Sequence, residues 1–391
     1  MTDAKSFLFI LRMFFLSAFI LIVPGRAGQD VDQEAMRHEL LPSRLTIAMW
    51  DFSWLYMHYP GGAFADWNQA LDELLERRFN TVRIDAFPLL IGKLTSPGQR
   101  VTIAADPLRN WGQTDRDVEH DVQQELVEFM SLTKNKGIYV ILSTWNFDCK
   151  EFPNLRQDFK TREQVWSAWE KTLDLLAQKD LLMHVLYVDL DQEFPYFSPF
   201  AQAIDDLQGK QPGDGKNAER LFSGFKWNER QMSFVRNLLD GSLKHFQQRY
   251  PALRFTFSLT EFWQEVRAMQ LKSLDVLEIH IWMTQSERFL NRTGFGDLVK
   301  DRGRHDYSDY MRRIKSTMTS VRPMLLTEMI KRMRFVQEWA QESGAPLTTT
   351  EAWGPWWHMD HPNLDWQWLY AWCEQCVELA PKIGFWGVTP W

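Results

Sequence analysis

Ile138-Tyr-Val-Ile-Leu-Ser-Thr-Trp145 and Val185-Leu-Tyr-Val-Asp-Leu-Asp-Gln-Glu193 flank a stretch, Thr161–Lys179, whose apolar residues recur at helical spacing. Runs rich in β-branched and aromatic residues read as strands, and the 3.6-residue repeat between them reads as a helix. A strand, a helix of that length and a second strand make a parallel pair joined by a crossover. The same alternation extends in both directions. Strand runs appear at Leu45–Trp50 and Asn80–Phe87 before this unit, and at Leu253–Thr260, Asp275–Trp282, Pro346–Glu351 and Gly384–Thr389 after it. Helical periodicities fall between them at Asp66–Arg78, Val118–Lys136, Asn228–Tyr250, Asp309–Ala340 and Asp365–Leu379, with a shorter one at Glu265–Lys272. Asp66, Thr161, Asn228 and Asp365 stand where N-caps belong. Eight strands alternating with helices predict one (β/α)8 TIM barrel over residues 40–391. Long loops follow the fourth strand (Tyr196–Trp227) and the sixth (Asn291–Asp306).

Barrels of this kind place their sites at the carboxyl ends of the strands. Those ends carry Asp51, Arg83 with Asp85, Trp145, Gln192-Glu193, Glu261, His280 with Trp282, Glu351 with Trp353, and Trp386. Two of these residues, Glu193 and Glu351, are carboxylates on separate strands, each followed by aromatic residues. Such a pair is what splitting a glycosidic bond requires, although strand-end glutamates also cap loops or pair with arginines. Asp191 alternates onto the same face as Glu193, and Glu261 and Glu278 are further competing carboxylates.

Nineteen tryptophans in 391 residues are far above ordinary usage, and indole faces stack on sugar rings as well as filling cores. The net charge of −7, with no basic stripe, excludes nucleic acid as a partner class. Met13–Val23 is an apolar run behind Arg12, and small residues precede Ala27. Residues 1–27 therefore read as a secretory signal peptide, or as an N-terminal membrane anchor if uncleaved, and the expected location is secreted or periplasmic. Three cysteines make no disulfide scaffold, and Cys373 with Cys376 reads as a pair of thiols within a helix. His358-Met-Asp-His361 lacks the spacing of a zinc site, so neither metal nor other cofactor is expected. No interface signature specifies an oligomeric state.

Phe79-Asn-Thr-Val-Arg-Ile-Asp85 resembles the second-strand motif of clan A glycoside hydrolases, particularly family 5, and Gly137-Ile-Tyr-Val-Ile-Leu142 resembles their third strand. A closer likeness is to a group of bacterial cellulase-like proteins. It is carried by Ile47-Ala-Met-Trp-Asp-Phe-Ser-Trp54, Arg83-Ile-Asp-Ala-Phe-Pro88 and Thr350-Glu-Ala-Trp-Gly-Pro-Trp-Trp-His358, and spans roughly Arg44 to Trp391. The resemblance implies a retaining β-glycoside hydrolase acting on an oligo- or polysaccharide. Glu193 would be its acid/base, Glu351 its nucleophile and Arg83 the support of that nucleophile. Gln192, His280, Trp145, Trp282, Trp353 and Trp386 would contact the carbohydrate. Three positions depart from the family-5 pattern. Gln192 stands for the asparagine before the acid/base, Ser143-Thr-Trp-Asn146 replaces a third-strand histidine, and Trp282 replaces a sixth-strand tyrosine. These departures support the alternative expectation of a carbohydrate-binding barrel without turnover.

Overall fold

The structure, a computed structural model, describes residues 41–106, 114–208, 226–300, 307–356 and 365–390. Ser43–Trp391 forms one compact unit. The apolar run proposed as a signal or anchor lies outside the described residues, as do His358–His361 and the glycine-rich part of the loop after the fourth strand. No helix among the described residues is long and apolar enough to cross a membrane.

Eight parallel strands build the core: β1 Leu45–Ala48, β2 Thr81–Asp85, β3 Tyr139–Ser143, β4 Val185–Asp189, β5 Phe255–Thr256, β6 Leu277–Glu278, β7 Leu347–Thr349 and β8 Gly387–Val388. Their order is β5-β4-β3-β2-β1-β8-β7-β6. The two ends of that order meet. Leu259 and Ile279 form a parallel bridge, and His280 N donates to the Leu259 carbonyl at 2.9 Å. The fold is thus a (β/α)8 TIM barrel. Seven crossover helices cover it: α1 Trp67–Glu76, α2 Val122–Lys136, α3 Arg162–Ala177, α4 Glu229–Arg249, α5 Trp263–Ala268, α6 Tyr307–Ser343 and α7 Gln367–Ile383. The loop after β4 holds a short helix, Ala201–Asp206, and the one after β6 holds Glu287–Thr293 and Phe295–Lys300.

Local chemistry sets the helix starts. The Asp66 carboxylate accepts from Gln69 N at 3.0 Å, and Thr161 and Asn228 each form a reciprocal capping box with the glutamine three residues on. Asp365 accepts from Gln367 N at 3.0 Å, one position earlier than a standard cap. One expected helix start is corrected. Val118–His120 is a strand, antiparallel to Val101–Ile103, and α2 begins only after Asp121. The Asp121 carboxylate takes Gln124 N at 3.0 Å, so the aspartate inside the periodic run is the cap.

All eight strands stop earlier than expected, and six of them run into a left-handed residue on the same rim. Trp50 (φ 73°), Phe87 (49°), Asn146 (53°), Glu193 (44°), Phe262 (57°) and Trp353 (80°) all follow strands and are left-handed. A non-glycine residue at positive φ breaks the ladder and is held only where its surroundings over-determine it. These breaks sit on one rim. At the opposite end the barrel closes tightly on Gly387, where a Cβ would lie 2.9 Å from Thr348 Cγ2 and 3.1 Å from both Ile47 Cδ1 and Leu45 Cβ. Cys149, Cys373 and Cys376 are buried free thiols.

Candidate active site

Strand β2 is buried at every residue, yet it carries Arg83 and Asp85. A charge inside a barrel is tolerable only when paired. Arg83 donates to Glu351 Oε1 at 2.9 Å and to Asp189 Oδ2 at 2.9 Å, with Asp51 Oδ2 at 3.4 Å. One guanidinium thus ties together the ends of β1, β2, β4 and β7. Asp85 serves the rim backbone instead, accepting from Phe87 N at 2.7 Å and Trp145 N at 2.9 Å.

Glu351 follows β7, whose continuation is pinned to that of β6: Ile281 N donates to the Glu351 carbonyl at 3.2 Å and Trp353 N to the Ile281 carbonyl at 2.8 Å. Its Oε1 accepts from Arg83 and from the Gln192 amide. Gln192 Oε1 in turn accepts from Ser258 Oγ at 3.3 Å, so that amide is consumed within the protein. Glu193 is held by Ser258 from the next strand, whose Oγ accepts from Glu193 N at 2.9 Å and whose carbonyl accepts from Phe194 N at 2.9 Å. Glu193 Oε1 faces His280 Nδ1 at 2.9 Å and Trp282 Nε1 at 3.4 Å.

A carboxylate oxygen of Glu193, one of Glu351 and a ring nitrogen of His280 all lie within 4.8 Å of one another. Each carboxylate has one tethered oxygen, Oε1, and a second that takes no hydrogen bond among the described residues. Burial pushes the Glu351 carboxyl up to about 8; His280 and Arg83 pull it down, and the facing Glu193 adds to the rise. Burial opposes a charge on His280, but Glu351 and Glu193 outweigh it and its pKa is raised. Three potential donors to a cation meet here, but a guanidinium already sits on Glu351 and the Oε1 atoms of both glutamates are engaged. The set suits proton transfer better than metal binding.

The tryptophans divide. Trp145 is half-buried on the rim, its Nε1 donating to Asp51 Oδ2 at 2.7 Å and its ring stacked on Phe147 at 5.5 Å. Trp282 is 3% exposed and meets Glu193 through its N–H rather than offering an open face. Trp353 departs from its expected role. Its left-handed backbone turns the ring inward, where it is 0% exposed and donates to the Thr389 carbonyl at 2.8 Å. Trp386 also departs. Its N–H pairs with the Leu347 carbonyl at 2.8 Å and its carbonyl with Leu45 N at 2.9 Å, which places it where β1 and β7 begin, at the end of the barrel away from Glu351. Strand β8 reaches the level of Thr349 only at Val388, two residues later.

Asp191 is buried behind the rim, 3.5 Å from Asn146 Nδ2, because β4 ends at Asp189 and alternation no longer carries past it. Beside the pair, at the ends of β5 and β6, the surface opens into a cavity of about 520 Å³ lined by Glu261, Phe262, Trp263, Gln285 and Arg332, among others. Burial raises Glu261 to about 7 there, where it accepts from Tyr196 Oη at 2.5 Å. Asp189, Ser258 and Thr350 are site residues that sequence reasoning assigned no role, whereas Asp51 was expected at a strand end. Asp189 carried a signal, a charge in an otherwise apolar strand.

No curated protein matches the sequence. Among solved structures, a Parabacteroides distasonis protein provisionally described as a glycoside hydrolase is 27% identical, with TM-score 0.74 over 89% of this chain and 87% of its own. The endo-1,4-β-D-mannanase of Thermotoga petrophila aligns over 89% of this chain and 87% of its own at 10% identity, with TM-score 0.46. An endocellulase from Pyrococcus horikoshii does so over 89% and 84%, at 14% identity and TM-score 0.45. Residues 47–391 match the sequence pattern described as sugar-binding cellulase-like, and the chain belongs to that cellulase-like family.

Proposed function

We propose that the protein is a retaining β-glycoside hydrolase acting on an oligo- or polysaccharide. The observation that carries this reading is the approach of Glu193 and Glu351, with oxygens within 4.8 Å, from the ends of β4 and β7. That closeness fits the ~5–5.5 Å separation of retaining pairs better than the roughly 6.5–9.5 Å of inverting ones. The tethering supports the same division of labour. Arg83 and Gln192 fix Glu351 through Oε1, leaving Oε2 to attack the anomeric carbon as the bond to the leaving oxygen breaks. His280 and Trp282 fix Glu193 through Oε1, leaving Oε2 to give its proton to that oxygen. Water then gives its proton to Glu193 and attacks the anomeric carbon, releasing Glu351 as a carboxylate. Trp145 supplies the exposed aromatic edge of the sugar site. We read residues 1–27 as a signal or anchor that takes this activity out of the cytosol.

A second reading, a sugar-binding barrel without turnover, is favoured by one observation. Burial pushes Glu351 itself up to about 8, and a protonated carboxyl binds hydroxyls but does not attack. A panel of aryl β-glycosides and polysaccharides separates the two, with product anomers followed by proton NMR and Glu351→Gln run alongside wild type. Turnover with retained configuration, lost in Glu351→Gln, is the expected result. Turnover that persists in Glu351→Gln overturns the mechanism, and binding without turnover in wild type selects the second reading.

A further inference from the structure

Beneath the two glutamates lies a third carboxylate that the mechanism above does not use. Glu278, on β6, is 1% exposed and accepts four hydrogen bonds. Tyr187 Oη donates to its Oε2 at 2.6 Å and Thr348 Oγ1 donates to the same oxygen, while Thr350 N and Thr350 Oγ1 donate to its Oε1 at 2.7 and 2.8 Å. With a donor on each of its four contacts, Glu278 acts here only as an acceptor.

That fixes the hydrogens above it. Thr350 has one hydroxyl hydrogen, and Glu278 takes it. The Thr350 oxygen can then only accept from His280 Nε2, 3.3 Å away, so Nε2 carries a hydrogen. Glu278 Oε1 itself lies 3.6 Å from Nε2. On the other side of the ring, Nδ1 faces Glu193 Oε1 at 2.9 Å and Glu351 Oε2 at 3.7 Å. Glu193 Oε1 also receives the indole N–H of Trp282, and a hydrogen on Nδ1 gives this acceptor oxygen its second donor.

We infer that Glu278, acting through the Thr350 hydroxyl, holds His280 doubly protonated through neutral pH, fixing an imidazolium between Glu193 and Glu351. The charged groups facing the ring are Glu193 after β4, Glu278 on β6, Glu351 after β7 and, opposing them, Arg83 on β2. Three carboxylates against one guanidinium favour the charged ring. Glu278 and Thr350 are positioning residues. They make His280 a donor to Glu193 Oε1, which directs the transferable proton to Oε2. This functional consequence rests on the glycosidase reading; the charge state of His280 does not.

Nitrogen-15 NMR of the histidine rings tests the charge state directly, with His280 assigned by the signals lost in His280→Asn. At pH 7.5 the wild-type ring is expected to show two protonated nitrogens. In Glu278→Gln its titration is expected to move down by ~1–3 pH units, the size of one nearby opposite charge. Thr350→Val, nearly isosteric and outside the carboxylate cluster, is expected to move it in the same direction should Glu278→Gln fail to fold. A wild-type ring with one bare nitrogen at pH 7.5 overturns the inference, as does an unchanged titration in the folded variants. On an aryl β-glycoside, the same variants are expected to shift the pH profile of kcat more than they change KM. An imidazolium in a protein without turnover removes the hydrolase reading and leaves the His280 assignment standing.

Discussion

Glu351 and Glu193 carry the same functional group in opposite settings. Glu351 is 1% exposed and tied to a guanidinium that also serves two aspartates, whereas Glu193 is partly exposed and tied to an imidazole and an indole. The difference is one of charge bookkeeping. Arg83 favours the ionised form of Glu351 against the burial that raises its pKa, while the partners of Glu193 leave one of its oxygens open toward solvent, where protons are exchanged. An asymmetric pair is what a double displacement uses, since one member must stay ionised and the other must cycle. Breaking the asymmetry on either side is therefore more informative than removing either residue alone. The largest effect is expected at the closed side. Glu351→Gln lowers kcat on the order of 10⁴-fold for every leaving group. Glu193→Gln lowers it strongly for sugar leaving groups but little for activated aryl ones, which depart without a proton. Equal losses across leaving groups in both variants would show that the two settings do not correspond to two roles.

Next in size is the guanidinium itself. Arg83→Met leaves Asp51, Asp189 and Glu351 buried together with no cation, and breaking a buried pair of this kind costs ~3–5 kcal/mol. Chemical denaturation should report that loss at pH 7, and the loss should shrink at pH 5, where the carboxyls take up protons. A pH-independent loss would mean that Arg83 acts by packing rather than by charge.

The same asymmetry shows what could be read before the structure. The barrel was legible because eight strands and their crossovers each announce themselves locally, through β-branched runs and capped helical repeats. The meeting of Glu193 and Glu351 was legible because the strand ends of such a barrel share one rim. Register was not. Trp386 lies inside a run that looks like a strand, but whether it stands at the start or the end of β8 depends on its pairing with Leu45 and Leu347, neither of which is near in sequence. Trp353 sits two residues after Glu351, and only its left-handed φ, imposed by the ladder to Ile281, turns it into the core. Asp191 failed for a related reason, since alternation predicts direction only while the strand lasts. Glu278 and Thr350 were invisible as a unit because they meet across two strands.

A smaller effect separates the tryptophans that sequence alone groups together. Trp145→Ala should weaken binding of a β-linked oligosaccharide by ~1–2 kcal/mol, because it removes the half-buried ring at the rim. Trp386→Phe, at the far end, should leave sugar affinity unchanged in calorimetry. Equal losses in both would put Trp386 back at the site and contradict the register of β8.

The last effect is on stability against pH, and its sign follows from the buried glutamate. Burial raises Glu351 to about 8 in the folded protein, above its ordinary value of 4.5. A carboxyl with a raised folded pKa favours the folded state most below its unfolded pKa, and that contribution is lost as pH climbs through the folded value. Asp85, pushed by burial to about 7, and Asp189, to about 6, act in the same direction. The melting temperature should therefore fall between pH 5 and pH 8. Glu351→Gln removes one of these titrations and should flatten the slope more than Glu193→Gln does. A slope that flattens equally in both variants would mean that the proton is shared between the glutamates rather than held by burial at Glu351. In that case the closed and open settings titrate as one group, and the asymmetry on which the assignment of nucleophile and acid/base rests must come from His280 and Arg83 alone.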